Sequence, residues 1–250
     1  MTPAEHGDAL EAEGIALVEA AAGLALAHEV PTCPGWQVRH LLRHVGYVHR
    51  WAARCLGASL AARVDPASEA EVLHAEVPDG GLLSWVAAGH RELIATLRAA
   101  PADLRCWTFV EAASPLQFWA RRQAHETSVH RVDAQIAAGA LPTVSASFAA
   151  DGVDELVIGF AGRSGRIRGH SGRVLALRAT DAARAWRVEI GARGQLTVSR
   201  GSGPADCTVA GPAGDLSRAL WNRLGPERLA GGGDARLLAG WRRDVRITWS

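Results

Sequence analysis

The first 140 residues carry apolar side chains at helical spacing, in stretches separated by short breakers. These stretches cover residues 4–28, 36–56, 81–99 and 116–139. In the second stretch the apolar positions recur every three or four residues and form one stripe, made of Val38, Leu41, Leu42, Val45 and Val48. No convincing strand interrupts the series, so the pattern predicts a four-helix bundle.

The pattern changes in the second half of the chain. Residues 145–161 still read as a helix, but residues 172–180 alternate between apolar and polar, as a half-buried strand does. The remaining predicted elements are a hairpin over 185–200, a strand over 205–211, helices over 213–224 and 233–243, and a final strand over 244–249. This mixture predicts a small α+β domain. The Ala/Gly/Pro stretch 137–143 marks the boundary, which gives domains 1–142 and 143–250.

Composition narrows the classes of function. The formal net charge is +1, which argues against a nucleic-acid partner. No apolar run reaches the roughly 18 residues of a membrane span, and the acidic N-terminus does not resemble a signal peptide. The cysteines are scattered without a C-x-x-C pair, which favours reduced thiols: Cys33, Cys55, Cys106 and Cys207. We therefore expect a cytoplasmic protein without a membrane partner, and its oligomeric state stays open.

The stretch 123-QAHETSVHRVDAQ-135 holds the most specific chemistry in the sequence. It differs by one position from the H-E-x-x-H motif of zinc proteases, which needs two histidines four residues apart. At about 100° per residue, His125 and His130 point roughly 140° apart and cannot share a metal. Glu126 and His130 are four residues apart and lie on one face. The protease interpretation is rejected, and the pair Glu126 and His130 remains.

A metal site in a bundle takes its further ligands from a facing helix. The second predicted helix offers His40, His44 and His49, of which His44 lies mid-helix beside the core-facing residues. Together with Glu126 and His130 it would form a site of two histidines and one carboxylate with open positions. The residues alone leave a second interpretation open, a polar helix pair and a hydrogen-bonded core histidine.

Two segments of the first half resemble the mycothiol-dependent maleylpyruvate isomerase family: 30-VPTCPGWQVRHLLRHVGYVHRWA-52 and 119-WARRQAHETSVHRVDAQ-135. The Pro-Gly-Trp before a helix, the histidine eight residues later and the E-x-x-x-H-x-x-D pattern carry the likeness. In the second half, the resemblance rests on 151–160, 205–224 and 233–242. It implies a multidomain α+β protein, with a DinB-like four-helix metal-binding bundle followed by a sterol-carrier-like α+β domain.

The resemblance also implies roles for particular residues. Metal, most commonly zinc in the family, would be held by His44, Glu126 and His130. Asp133 could accept a hydrogen bond from a ligand imidazole, or could instead form a surface salt bridge. Arg223, in 219-ALWNRLG-225, corresponds to a family arginine that assists the substrate or the thiol.

The activity implied is the use of mycothiol, a low-molecular-weight thiol, on a small-molecule substrate. In an isomerase the thiolate would add to a cis double bond, the central bond would rotate, and the thiol would leave. Two other hypotheses of an enzyme stay open: a mycothiol S-transferase acting on an electrophile, and a hydrolase or lyase that uses zinc-bound water. A binding module without activity is disfavoured, because all three candidate ligands are present.

Overall fold

The computed structural model describes residues 1–57 and 77–245, and the chain forms two compact units, Met1–Pro142 and Thr143–Ser250. The long helices of the first unit are α1 (Pro3–Ala22), α2 (Val38–Gly57), α3 (Leu82–Ala99) and α4 (Pro115–Ala137). A four-helix arrangement followed by an α+β part was predicted from the sequence, and this fold class is confirmed.

The bundle is held by an apolar core between its helices. Helix α1 packs against α3 and α4, and α2 packs against the same two helices. The central buried residues include Leu17, Leu41, Val45 and Val86. Each such side chain contributes roughly 1.5–3 kcal/mol by leaving water. None of the described helices combines the length and hydropathy that crossing a bilayer requires.

Helix α4 departs from the usual amphipathic pattern. Of its 23 residues 16 are buried, and nine of those 16 are polar or charged. Buried polar groups must find partners inside the protein, because an unpaired one costs free energy. Arg131 illustrates the rule: its guanidinium donates to both carboxylate oxygens of Glu13, at 2.6 and 3.2 Å. So many buried polar groups on one helix indicate a candidate functional site there.

The second unit is a mixed sheet with flanking helices. Helix α5 (Ala146–Asp154) continues into a π-helical stretch, Glu155–Ala161, and a single turn, Gly162–Ser164. The other elements are β1 (Val174–Ala179), β2 (Arg184–Ile190), β3 (Leu196–Arg200), β4 (Cys207–Gly211), α6 (Ala213–Leu220), β5 (Ala230–Gly233) and α7 (Arg236–Asp244). The sheet order is β3-β2-β1-β4-β5; β1 and β4 are parallel, and the other neighbours are antiparallel.

Strand β5 was not predicted, because 230-AGGG-233 has none of the β-branched or aromatic residues that mark a strand. It pairs with β4 through its glycines. A Cβ on Gly231 would lie 2.3 Å from the backbone oxygen of Thr208, and one on Gly233 would lie 2.1 Å from that of Asp206. The absence of side chains therefore permits the close approach.

Other boundaries of the second unit also differ from the prediction. The helix predicted over 213–224 ends at Leu220, and Asn222 adopts a left-handed conformation with φ of 62°. The helix predicted from residue 233 begins at Arg236, since the preceding residues belong to β5. Of the strand predicted over 244–249, Asp244 is the last residue of α7, and 246–249 lie outside the described residues.

Two histidines lie side by side in the interior of the bundle. The rings of His49 and His90 have centroids 5.3 Å apart, and Gly14 leaves room for the His90 ring. His49 Nε2 is 2.8 Å from the Thr127 hydroxyl, and His90 Nε2 is 3.3 Å from the backbone oxygen of Glu11. Burial lowers the pKa of both imidazoles, and for His49 the neighbouring His90 lowers it further. Both rings are therefore neutral in the folded protein near pH 7.

Acid should destabilise the protein through this pair. In the unfolded chain both histidines take up protons below a pKa of about 6.5, whereas in the folded protein they do so only at lower pH. Stability is therefore full above that pH and falls as the pH drops towards the lowered pKa of the folded state, by at most about 1.4 kcal/mol per pH unit for each histidine. Chemical denaturation at a series of pH values measures this slope. In His49→Gln, which can still bond Thr127, the slope should be shallower, and an unchanged slope would contradict the assignment.

Candidate metal centre

The C-terminal half of α4 presents Glu126, His130 and Asp133 along one side, because spacings of four and three residues bring side chains to neighbouring positions on a helix. The residue at which the helix begins is fixed by a cap and a proline. Ser114 caps α4 by accepting a hydrogen bond from the Gln117 amide at 3.1 Å, and a proline occupies the first turn.

Helix α2 supplies the third group. His44 Nε2 lies 3.0 Å from Glu126 Oε1, and His130 Nε2 lies 3.3 Å from the same oxygen. The two imidazole rings meet edge to face, with centroids 4.8 Å apart. One potential ligand atom from each of the three residues lies within 4.8 Å of the other two. The structure thus brings together the three side chains that the sequence selected.

The chemistry of these donors fits a divalent metal ion. Two imidazole nitrogens and one carboxylate oxygen form a set that zinc and related ions accept in catalytic sites, where further positions stay open. Access is from the side of His44, whose side chain is 21% exposed, whereas those of Glu126 and His130 are 7% and 8% exposed. The three residues could therefore hold an ion and leave it reachable by a small molecule.

Asp133 fixes the orientation of His130. Its Oδ2 is 2.9 Å from His130 Nδ1 and also accepts from the Cys33 thiol at 3.3 Å, while its Oδ1 accepts from the Thr32 hydroxyl at 2.6 Å. Asp133 is fully buried, so it does not occupy the exposed position that a surface salt bridge requires. A carboxylate on Nδ1 keeps a proton there and leaves Nε2, on the side of Glu126 and His44, as the nitrogen that could coordinate an ion.

Trp36 forms one wall of the site. Its ring is nearly parallel to that of His130, with centroids 6.0 Å apart, and is tilted against that of His44 at 5.2 Å. Trp36 follows Gly35 in the turn before α2, and the φ of 84° at Gly35 is a left-handed backbone conformation. The turn places the indole against the rings of His44 and His130, and this contact limits how far those rings can rotate.

The electrostatics of the trio follow from burial and close pairing. Burial favours the neutral form of Glu126, but the hydrogen bonds of His130 and His44 and the charge of Arg122 outweigh it, so the pKa of Glu126 lies well below its ordinary value. Burial also opposes a charge on His130. Its contacts with Asp133 and Glu126 prevail and raise its pKa. Glu126 is therefore ionised, as a ligand carboxylate must be.

The other candidates lie elsewhere. His125 points away from the trio and packs edge to face with His6, at a centroid distance of 5.8 Å, as the helical angle predicted. His40 is exposed, and its Nδ1 accepts from the Gln37 amide at 3.0 Å. Arg223 belongs to the second unit, where it follows α6 and donates to the backbone oxygen of Trp221 at 2.8 Å. Its role in the reaction stays a prediction.

Sequence reasoning missed the layer of residues behind the ligands. Thr32 and Cys33 reach Asp133 from a turn about 100 positions earlier, which no local pattern reveals. Arg122 pairs with Glu126 at 2.8 Å across one helical turn. Its spacing of four residues was visible in the sequence, but the same spacing is common for solvated pairs on helix surfaces.

Comparisons with known proteins give a consistent result. Residues 8–135 match the family model described as the mycothiol maleylpyruvate isomerase N-terminal domain, and residues 147–240 match the MDMPI C-terminal domain. A crystal structure of the mycothiol-dependent maleylpyruvate isomerase is similar, with a TM-score of 0.66, 14% identity and 93% of each chain covered. A mutant form of that enzyme gives a TM-score of 0.65 with the same identity and coverage. No curated protein matches the sequence significantly.

Proposed function

This chain belongs to the mycothiol-dependent maleylpyruvate isomerase family, and from that membership we propose that it is a metal-dependent enzyme with mycothiol as its thiol co-substrate. The proposed reaction is cis-trans isomerisation of a small substrate such as maleylpyruvate. The observation that carries the proposal is the convergence of His44, Glu126 and His130 in a member of this enzyme family.

Each residue of the trio and its surroundings has a proposed task. His44, Glu126 and His130 would hold the ion, with zinc favoured by the donor set. A divalent ion bound there would lower the pKa of a thiol and favour its thiolate form. Asp133 holds the proton of His130 at Nδ1, so that Nε2 is available. The partly exposed side of His44 admits the reactants, and Trp36 limits the space beside it.

The proposed chemistry is nucleophilic and balances without an oxidant or a net proton. The thiolate sulfur adds to one carbon of the cis double bond, and the electron pair moves to the conjugated carbonyl oxygen as an enolate. The former double bond is then single and rotates. The pair returns, the carbon–sulfur bond breaks, and the thiolate is released with the trans product. We propose that Arg223 binds a substrate carboxylate with two parallel N–H groups.

The thiol also bears on where the enzyme works and on the alternative reaction. Low-molecular-weight thiols are kept reduced in the cytosol, so we propose a cytoplasmic location. If the carbon–sulfur adduct were the end product, the same trio would serve an S-transferase. The two reactions differ in the fate of the thiol, because an isomerase regenerates it and a transferase consumes it.

The test is to incubate the zinc-loaded protein with maleylpyruvate, with and without mycothiol, and to quantify substrate, trans isomer and free thiol. We expect trans isomer only when mycothiol is present, with the thiol recovered in full. Conversion at the same rate without thiol would overturn the proposal in favour of a hydrolase or lyase. Thiol consumed in proportion to maleylpyruvate, without trans isomer, would replace the isomerase with an S-transferase.

A further inference from the structure

Arg122 is a buried cation beside the candidate metal centre. It lies one turn before Glu126 on α4, and its side chain is 2% exposed. Its Nη2 donates to Glu126 Oε2 at 2.8 Å. The other carboxylate oxygen, Oε1, faces His44 Nε2 and His130 Nε2 at 3.0 and 3.3 Å. The two oxygens of one carboxylate are thus assigned to different partners.

General stability does not explain this arrangement well. Removing two charges from water costs several kcal/mol per ion, and a buried pair is often no more stable than an apolar pair of equal size. A buried arginine one helical turn from a candidate ligand therefore suggests a role in the site. The Arg122 guanidinium is rigid and planar, so it fixes the carboxylate that it contacts more closely than a flexible group would.

We propose that Arg122 is a positioning residue that reserves Oε2 of Glu126, so that the carboxylate offers a bound metal ion only Oε1. This inference rests on the proposed function, since it assumes that His44, Glu126 and His130 bind a metal. A carboxylate can bind through one oxygen or two, and two-oxygen binding occupies an additional coordination position. By engaging Oε2, Arg122 keeps that position open for the reactants. Its charge also draws electron density from the carboxylate, which leaves the ion more electrophilic.

The experiment compares the cobalt-substituted wild type with Arg122→Gln, in which the cation is lost. Visible d–d bands of Co²⁺ weaken as its coordination number increases. We expect weaker bands in Arg122→Gln, while the zinc content stays at one ion per chain because all three ligands remain. Turnover with mycothiol should fall about 10- to 100-fold, as for other residues that orient metal ligands. Arg122→Lys, which restores the charge, should move both readouts back towards the wild type.

Matched variants keep the test decisive. Arg121→Gln removes the neighbouring, half-buried arginine of the same helix and should leave the cobalt spectrum unchanged. If Arg122→Gln does not fold, Arg122→Met provides the same comparison with an apolar side chain of similar length. A wild type that binds no cobalt would overturn the proposed function and this inference together. A folded Arg122→Gln or Arg122→Met with the wild-type spectrum would overturn this inference alone.

Discussion

Replacing His44 with alanine should remove the metal and reduce mycothiol-dependent turnover by at least about 10³-fold, equivalent to about 4 kcal/mol of transition-state stabilisation. The reason is the small ligand set, because two remaining protein ligands hold a divalent ion poorly. His44 is the best position for the test: its side chain is 21% exposed, more than those of Glu126 and His130, so its loss disturbs the buried interior least of the three. His130→Ala should have the same effect on turnover, and it also deprives Asp133 of a partner.

Metal content, turnover and thermal unfolding of each variant are the measurements. His40→Ala is the matched control, because His40 lies one turn earlier on the same helix and is exposed. It should retain one zinc per chain and the turnover of the wild type. A His44→Ala protein that keeps both its zinc and its activity would contradict the assignment of His44 as a ligand.

Asp133→Asn should weaken zinc binding by about 10- to 100-fold while the bundle stays folded. The asparagine preserves the size of the side chain but removes the negative charge that His130 Nδ1 contacts at 2.9 Å. His130 would then lose the anion that holds its proton at Nδ1, and the ring would be less well oriented. Competition with a chromophoric chelator measures the affinity.

Thr32→Val serves as the control for this second prediction. It removes the hydroxyl that donates to Asp133 Oδ1 at 2.6 Å but leaves the contact between Asp133 and His130 in place. Its zinc affinity should stay within a few fold of the wild type, because the negative charge that faces His130 Nδ1 is kept. If Asp133→Asn binds zinc as tightly as the wild type, the orienting role of Asp133 is wrong.

The sequence predicted those parts of the molecule that local spacing determines. Four helices followed from apolar periodicity, and the common face of Glu126 and His130 followed from their separation of four residues. His44 could be proposed because it occupies the middle of an amphipathic helix. Its 3.0 Å approach to Glu126 depends on how α2 packs against α4, which spacing within one helix does not specify.

What could not be predicted depends on contacts between distant segments. The partners of Asp133 come from the turn that contains Thr32 and Cys33. Strand β5 forms because its glycines admit a close backbone approach, whereas strand propensity is a property of side chains. Helix α4 has a weak amphipathic pattern for a different reason. Its buried positions are filled by charged groups that pair with each other, such as Arg122 with Glu126.

The central claim is that the trio of His44, Glu126 and His130 brings a metal and a thiol together, and one measurement tests it most directly. Mycothiol is titrated by calorimetry into the zinc-loaded wild type and into the same protein made metal-free. The account predicts one mycothiol per chain and binding at least about tenfold tighter with zinc, a difference of about 1.4 kcal/mol. Equal affinity with and without zinc would contradict it.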